Sequence, residues 1–282
     1  LPVEVEMLAN SPSGVRVRVR TDSSTITLDV MPMHFKLGDA EVRYGTFDAF
    51  VNGACVASAE SRFGNTLVVD ALAGTFSLEH GEHGVVSFDV GAGMKDVDIW
   101  LPSCSTVELR ALTIHGGATL ESPTPDTRPR WIHHGSSISH CFEAHSGSTV
   151  WPAVAAREAN VNLTNLGLAG LCHLDQFTAR TMRDLPADFI SLKCGINIVN
   201  GDTLRLRTLP PSLHGFIDTT RDAHTDAPLL VVSPTLGPTQ ADAVGPTSHA
   251  PARITSGRPG PPHSQRATTL ERTRASRPAA RT

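Results

Sequence analysis

The chain of 282 residues has no long apolar run: stretches such as Leu229–Val232 fall far short of the ~20 residues a membrane-spanning helix needs. It has no basic surplus either. With 24 Lys and Arg against 28 Asp and Glu the formal net charge is −4, which gives nucleic acid no reason to bind. The five cysteines (Cys55, Cys104, Cys141, Cys172, Cys194) form an odd set without a C-x-x-C pair. Neither a zinc site nor a disulfide framework is therefore expected, and reduced buried thiols are. Nothing in the pattern calls for a cofactor or a metal. No charged, then apolar, then small-residue leader opens the sequence, which begins at Leu1 rather than Met, so cytoplasmic and secreted locations both stay open. No aromatic platform for stacking a sugar stands out.

What the sequence does hold is a change of grammar near residue 120. Before it, apolar and polar residues alternate in short runs: Val15-Arg16-Val17-Arg18-Val19-Arg20, then 25–30, 66–70, 85–90, 96–101 and 106–112. Residues 47–51 and 54–57 flank Asn52-Gly53, a strong hairpin signal because both central positions of a type I′ turn need φ > 0. Short strands with no helix between them predict a β-sandwich, jelly-roll-like, over residues 1–120, folding as a unit of its own. Residues 121–130 carry three prolines and read as a linker with few contacts. From 131 to 235, strands at 131–134, 161–166, 188–193 and 229–233 alternate with helices at 148–159, 174–183 and 211–223. That alternation predicts a doubly wound, flavodoxin-like α/β domain with a parallel sheet. Residues 236–282 hold seven Pro, seven Arg and no Lys, with no apolar period, and read as a disordered tail.

Ligands of doubly wound sheets sit at the carboxyl ends of the strands. Gly135-Ser136-Ser137-Ile138-Ser139 follows the first strand, Asn165-Leu166-Gly167-Leu168-Ala169-Gly170 the second, and Gly195-Ile196-Asn197 the third. The three sets offer a serine hydroxyl at a helix start, an unobstructed backbone N–H and a neutral amide donor. Together these make a nucleophile and an oxyanion hole. Alone, each is ordinary: a glycine at a turn, an asparagine at a helix cap. Their succession along one sheet is what points to acyl chemistry.

These blocks resemble those of the SGNH, or GDSL-type, serine hydrolases. The resemblance covers about residues 129–235 and implies Ser137 as nucleophile, with Gly170 and Asn197 in the oxyanion hole. It implies an ester hydrolase without metal or cofactor. Ser136 stands where the family usually has aspartate, and Ile198 follows the asparagine where aspartate is common. The architecture as a whole is similar to bacterial esterases with an N-terminal β-sandwich, some of which deacetylate polysaccharides. An acyl ester or acylated carbohydrate is then the implied substrate.

The family's Asp-x-x-His block, which supplies the general base after the last strand, has no counterpart in the sequence. Asp222-Ala223-His224 has the wrong spacing and reads as a solvent-exposed turn. His133, His134, His140 and His145 crowd the serine and read as packing or substrate contacts; His249 and His263 lie in the tail. Cys141, Cys172 and Cys194 read as core. Three readings follow: a weakened acyl-ester hydrolase, a catalytically dead protein that binds an acylated glycan, and a tail produced by a shifted reading frame. Without the family's final strand and helix, 229–233 is expected to be an exposed apolar edge prone to self-association.

Overall fold

A computed structural model describes residues 3–70, 73–205 and 207–234; nothing is said of the others, so the tail expected at 236–282 lies outside the described residues. Helix α1 (Val3–Ala9), which the alternation did not suggest, precedes ten strands: β1 (Arg16–Thr21), β2 (Thr25–Leu37), β3 (Gly45–Val51), β4 (Ala54–Ser61), β5 (Asn65–Asp70), β6 (Thr75–Glu79), β7 (Gly84–Asp89), β8 (Lys95–Trp100), β9 (Ser105–Ile114) and β10 (Leu120–Glu121). Two sheets result. One is antiparallel in the order β10-β1-β8-β3-β4. The other is built on the long β2, which pairs antiparallel with β9 and β7 and parallel with β5, with β6 outside β5.

The expected alternation sets which residues face inward. Ile26, Leu28 and Val30 of β2, with Val86 and Phe88 of β7, meet Val19, Phe47, Ala49, Val97 and Ile99 of the first sheet in one buried apolar cluster. The arginines of β1 line the opposite face, against the aspartates of β8: Arg18 Nε lies 2.9 Å from Asp98, Arg16 Nη1 3.0 Å from the same carboxylate, and Arg20 Nη1 3.5 Å from Asp96. Asn52 (φ 49°) and Gly53 (φ 88°) turn the chain between β3 and β4 as the dipeptide predicted.

Residues 121–130 are not a loose connector. The Asp126 side chain, only 7% exposed, pairs with Arg128 at 2.6 Å and lies 3.8 Å from both Arg16 and Arg18. The expectation of few contacts fails because the aspartate answers the surplus charge of the β1 arginines. More contacts cross this boundary: the Asp48 carboxylate accepts the hydroxyls of Ser146 and Ser148, and Phe50 and Trp100 pack on Val150 and Ala153.

The second half follows the predicted alternation: β11 (Arg130–Gly135), α2 (Ser137–His140), α3 (Trp151–Glu158), β12 (Asn162–Gly167), α4 (Gln176–Asp184), β13 (Phe189–Lys193), α5 (Ile196–Gly201), α6 (Leu209–Arg221) and β14 (Leu229–Val232). Pro152 sits in the first turn of α3, where its missing N–H is harmless. The four strands are parallel in the order β12-β11-β13-β14. Among the described residues β14 is an outer strand. One face of the sheet (Ile132, Ile190, Leu192) buries against Ala179 and Met182 of α4 and Phe216 of α6; on the other, α3 lies over β12 and β11, while Phe189, Leu230 and Val232 line an open cleft. No described helix is long and apolar enough to cross a membrane.

Candidate active site

The registers Gly135↔Gly167 and Gly135↔Lys193 bring the ends of β11, β12 and β13 side by side, with β11 central. The turn after β11 lies almost flat on them. A Cβ on Gly135 would come 2.2 Å from Ser139 Oγ, and one on Gly167 2.4 Å from the backbone nitrogen of His140, so both positions demand glycine for space. Ser136 caps the turn through its hydroxyl, which accepts the Ile138 N–H at 3.4 Å, and Cys141 ends it in the left-handed region at φ 58°. A serine at the usual aspartate position therefore still supplies a cap. Ser137, the first residue of the turn, is exposed. No described group hydrogen-bonds its hydroxyl.

The loop after β12 is tied back by the Leu168 N–H to Gly135 O, 2.8 Å. Gly170 is exposed at φ 76°, with nothing within 4 Å of where a methyl would stand, so backbone conformation rather than space calls for glycine here. Two residues on, the Cys172 N–H donates to Asn197 Oδ1 at 3.1 Å. An N–H can bond only the oxygen end of the amide. That contact links the second loop to the start of α5 and leaves Asn197 Nδ2 as the free, donating end. Before α5, Gly195 holds φ 114°, and a Cβ there would meet Pro234 Cγ at 2.6 Å.

His133 and His140, the buried histidines nearest the serine in sequence on its own side of the sheet, are committed elsewhere. His133 lies 2.7 Å from Ser139 Oγ through Nε2 and 2.7 Å from Ser191 Oγ through Nδ1; Ser191 also accepts Trp131 Nε1 at 2.8 Å. Burial, then the neighbouring charges of His134 and Lys193, push the His133 pKa down to about 3, so it stays neutral. His140 lies 3.1 Å from Gly167 O and 2.9 Å from Ser103 O, stitching α2 to the first half of the chain. His145 is exposed. His224 corrects an expectation: far from being a solvent-exposed turn residue, it is 8% exposed and its Nε2 donates to Met182 O at 2.9 Å. The packing of α6 against α4 draws the turn after α6 inward, which local spacing could not reveal. His173 and Asp175 escaped the sequence reading. They follow Gly170 in the same loop, half-buried, and burial raises the Asp175 carboxyl above its ordinary range while His173 opposes the shift.

On the α4–α6 side of the sheet, Cys172 and Cys194 are buried as expected. The Cys194 thiol, and then burial, hold the Cys172 thiol well above the usual thiol range. Together with His134 they put three ligand atoms within 4.8 Å of one another, the one described group able to hold a metal.

No protein-family model matches the chain, and no curated protein matches it. Solved structures do. The salicylyl-acyltransferase SsfX3 of a tetracycline biosynthetic pathway aligns over 77% of this chain and 58% of its own, with 32% identity and a TM-score of 0.63. A protein described as a GDSL-like lipase, from Bacteroides ovatus, covers 82% of this chain and 64% of its own at 19% identity and TM-score 0.61. A family two carbohydrate esterase from Clostridium thermocellum, solved with cellohexaose, covers 81% and 74% at 14% identity and TM-score 0.55. The fold is therefore SGNH/GDSL-like. The chain spans 58% and 64% of the length of the first two proteins.

Proposed function

We propose that the chain acts on carboxylic esters through Ser137, as a serine-nucleophile hydrolase of small O-acyl groups, carbohydrate acetyl among them. In this reading the Ser137 hydroxyl attacks the ester carbonyl, and the resulting oxyanion is held by the N–H groups of Ser137 and Gly170 and by Asn197 Nδ2. The single observation that carries it is the Cys172 N–H to Asn197 Oδ1 bond, which turns the amide so that its donor end is free. The first half of the chain is then a jelly-roll-like β-sandwich module, as in the esterase resemblance.

Turnover in this chain is expected to be slow. Loss of the imidazole base costs a serine hydrolase on the order of 10⁶ in kcat, while an oxyanion hole and binding alone retain about 10³–10⁴ over water. With an activated ester and water taking the serine proton, acylation still proceeds and deacylation lags, so the acyl-enzyme accumulates. Incubation of the full chain with p-nitrophenyl acetate, followed by peptide mass spectrometry, is expected to find acetyl on Ser137 ahead of other serines. Ser137→Ala removes that label, and Asn197→Ala slows it by about 10²-fold, the loss typical of one oxyanion donor. Acetylation spread evenly over exposed serines would overturn the reading; if acetylated oligosaccharide still bound, a non-catalytic glycan-binding protein would replace it. The 32% identity to an acyltransferase favours a second reading, in which an alcohol rather than water takes the acyl group. Transfer to an added alcohol in preference to water would select it.

A further inference from the structure

His134, Cys172 and Cys194 lie on three separate segments, at the end of β11, in the loop after β12 and just after β13. All three are buried, at 1%, 0% and 8% exposure. The His134 Nδ1–H donates to the Leu166 carbonyl at 2.7 Å, which fixes the tautomer and leaves Nε2 as a lone-pair donor. Nε2 lies 3.4 Å from Cys172 Sγ. Stacking on Phe216, at 5.7 Å between ring centres and 11° between planes, holds the ring in that orientation. A ring locked by a backbone carbonyl at one nitrogen and aimed at thiols with the other is the usual outer support of a metal-bound histidine.

The geometry points to a thiophilic metal site, of which Zn²⁺ is the occupant, formed by His134 Nε2, Cys172 Sγ and Cys194 Sγ. Zinc takes nitrogen at about 2.0–2.1 Å and sulfur at about 2.3 Å, so the N···S edge of its tetrahedron is roughly 3.5 Å. The 3.4 Å separation matches that edge, and the three ligand atoms lie within 4.8 Å of one another. Sulfur and imidazole select against Mg²⁺ and Ca²⁺, which require oxygen. Charge balances as well: two thiols release their protons to solvent, and two thiolates cancel the dication, so no net charge is buried. One tetrahedral position is left to a small ligand such as water. The ion would clamp the three segments that carry Ser137, Gly170 and Asn197 from below, as a structural element.

The test uses Co²⁺ as a spectroscopic probe and Zn²⁺ as competitor. The reduced full chain is titrated both natively and during refolding, since buried ligands load as the loops close. Expected are one equivalent of Co²⁺, a thiolate-to-cobalt charge-transfer band, displacement by Zn²⁺, and a melting temperature that rises with Zn²⁺ concentration. Cys172→Ser, Cys194→Ser and His134→Gln each weaken uptake at least about tenfold, while Cys55→Ser, at an exposed and distant thiol, leaves the band intact. A band that survives both Cys172→Ser and Cys194→Ser would place the metal elsewhere and overturn the site. Where a substituted chain fails to fold, the wild-type titration decides by itself: absence of the charge-transfer band under both loading conditions overturns the proposal. None of these readouts depends on ester chemistry, so they stand or fall apart from the function proposed above.

Discussion

The two halves of the molecule bury polar groups in opposite ways. Between the front sheets the large buried cluster is built of apolar side chains, and the polar ones buried on the same inward rows are each tied off locally: Lys95 Nζ donates to the Ser23 and Gly93 carbonyls at 2.6 and 2.8 Å, and His34 is held by Ser105 and Phe63 O at 2.8 and 2.9 Å. The α/β half instead runs polar chains through its sheet: Trp131–Ser191–His133–Ser139 on one face, and Leu166 O–His134–Cys172 on the other. Both lead to the strand ends where Ser137, Gly170 and Asn197 sit. The front behaves as ballast whose stability comes from area, the back as a scaffold whose stability depends on satisfied polar partners.

Two phenylalanines test that division, with the largest expected effects. Phe47 in the front core and Phe216 on α6 are both fully buried. Alanine at either should cost about 3–5 kcal/mol in denaturant unfolding. The two should differ at the site. Phe47→Ala is expected to leave Ser137 acetylation in the folded fraction unchanged, whereas Phe216→Ala frees the His134 ring and lowers it. Equal effects on acetylation would erase the distinction.

Two glycines sharpen the comparison at a smaller scale. Gly167→Ala drives a methyl to 2.4 Å from the His140 backbone nitrogen, so the turn carrying Ser137 must lift. A cost of about 1–3 kcal/mol is expected, with a marked loss of Ser137 labelling. Gly53→Ala meets nothing within 4 Å and is strained only by its φ of 88°. About 1–2 kcal/mol is expected there, from the left-handed conformation alone, with labelling untouched. Thermal melts and label stoichiometry on the two variants read both effects.

Much of this was legible in the sequence, for a physical reason: burial on a strand has period two, and strand–helix alternation implies parallel order. Thus β2 buries Ile26, Leu28 and Val30 as its alternation says, and the four strands of the second sheet are parallel, in the 2-1-3-4 order of a flavodoxin-like sheet. A turn conformation at Gly170 could be seen, but not that Gly135 and Gly167 answer to space. What could not be read depends on contacts between distant residues. His224 is buried by the packing of α6 on α4, Asp48 meets Ser148 across 100 positions, and His134 meets Cys172 across 38. Periodicity says which way a side chain points, not what arrives opposite it. The same limit explains the segment 121–130, where three prolines suggested a connector and one aspartate made it a seam.

That seam carries the smallest effect and the most specific signature. The hydrogen bond from Arg128 holds the Asp126 pKa down to about 2, from an ordinary value of 3.8, with Arg18 adding to the effect. A carboxyl whose folded-state pKa is depressed contributes stability that is complete above its unfolded pKa and is lost as pH falls through the folded one. Asp126→Asn should therefore lower stability by about 1 kcal/mol near neutral pH, a modest figure because Arg18 and Arg128 are partly open to solvent and salt. The gap between wild type and variant should stay flat from pH 7 to about 5, narrow below 4 and close toward pH 2. Asp188, held at about 2 by Arg130, titrates over the same range in both proteins and so cancels from the difference. High salt should shrink the gap at pH 7 and raise the pH at which it closes, because screening lets the folded-state pKa of Asp126 climb back toward 3.8. Urea unfolding of both chains across that range measures it. A gap that persists undiminished into strong acid would mean that Asp126 holds the two halves together by shape and not by charge.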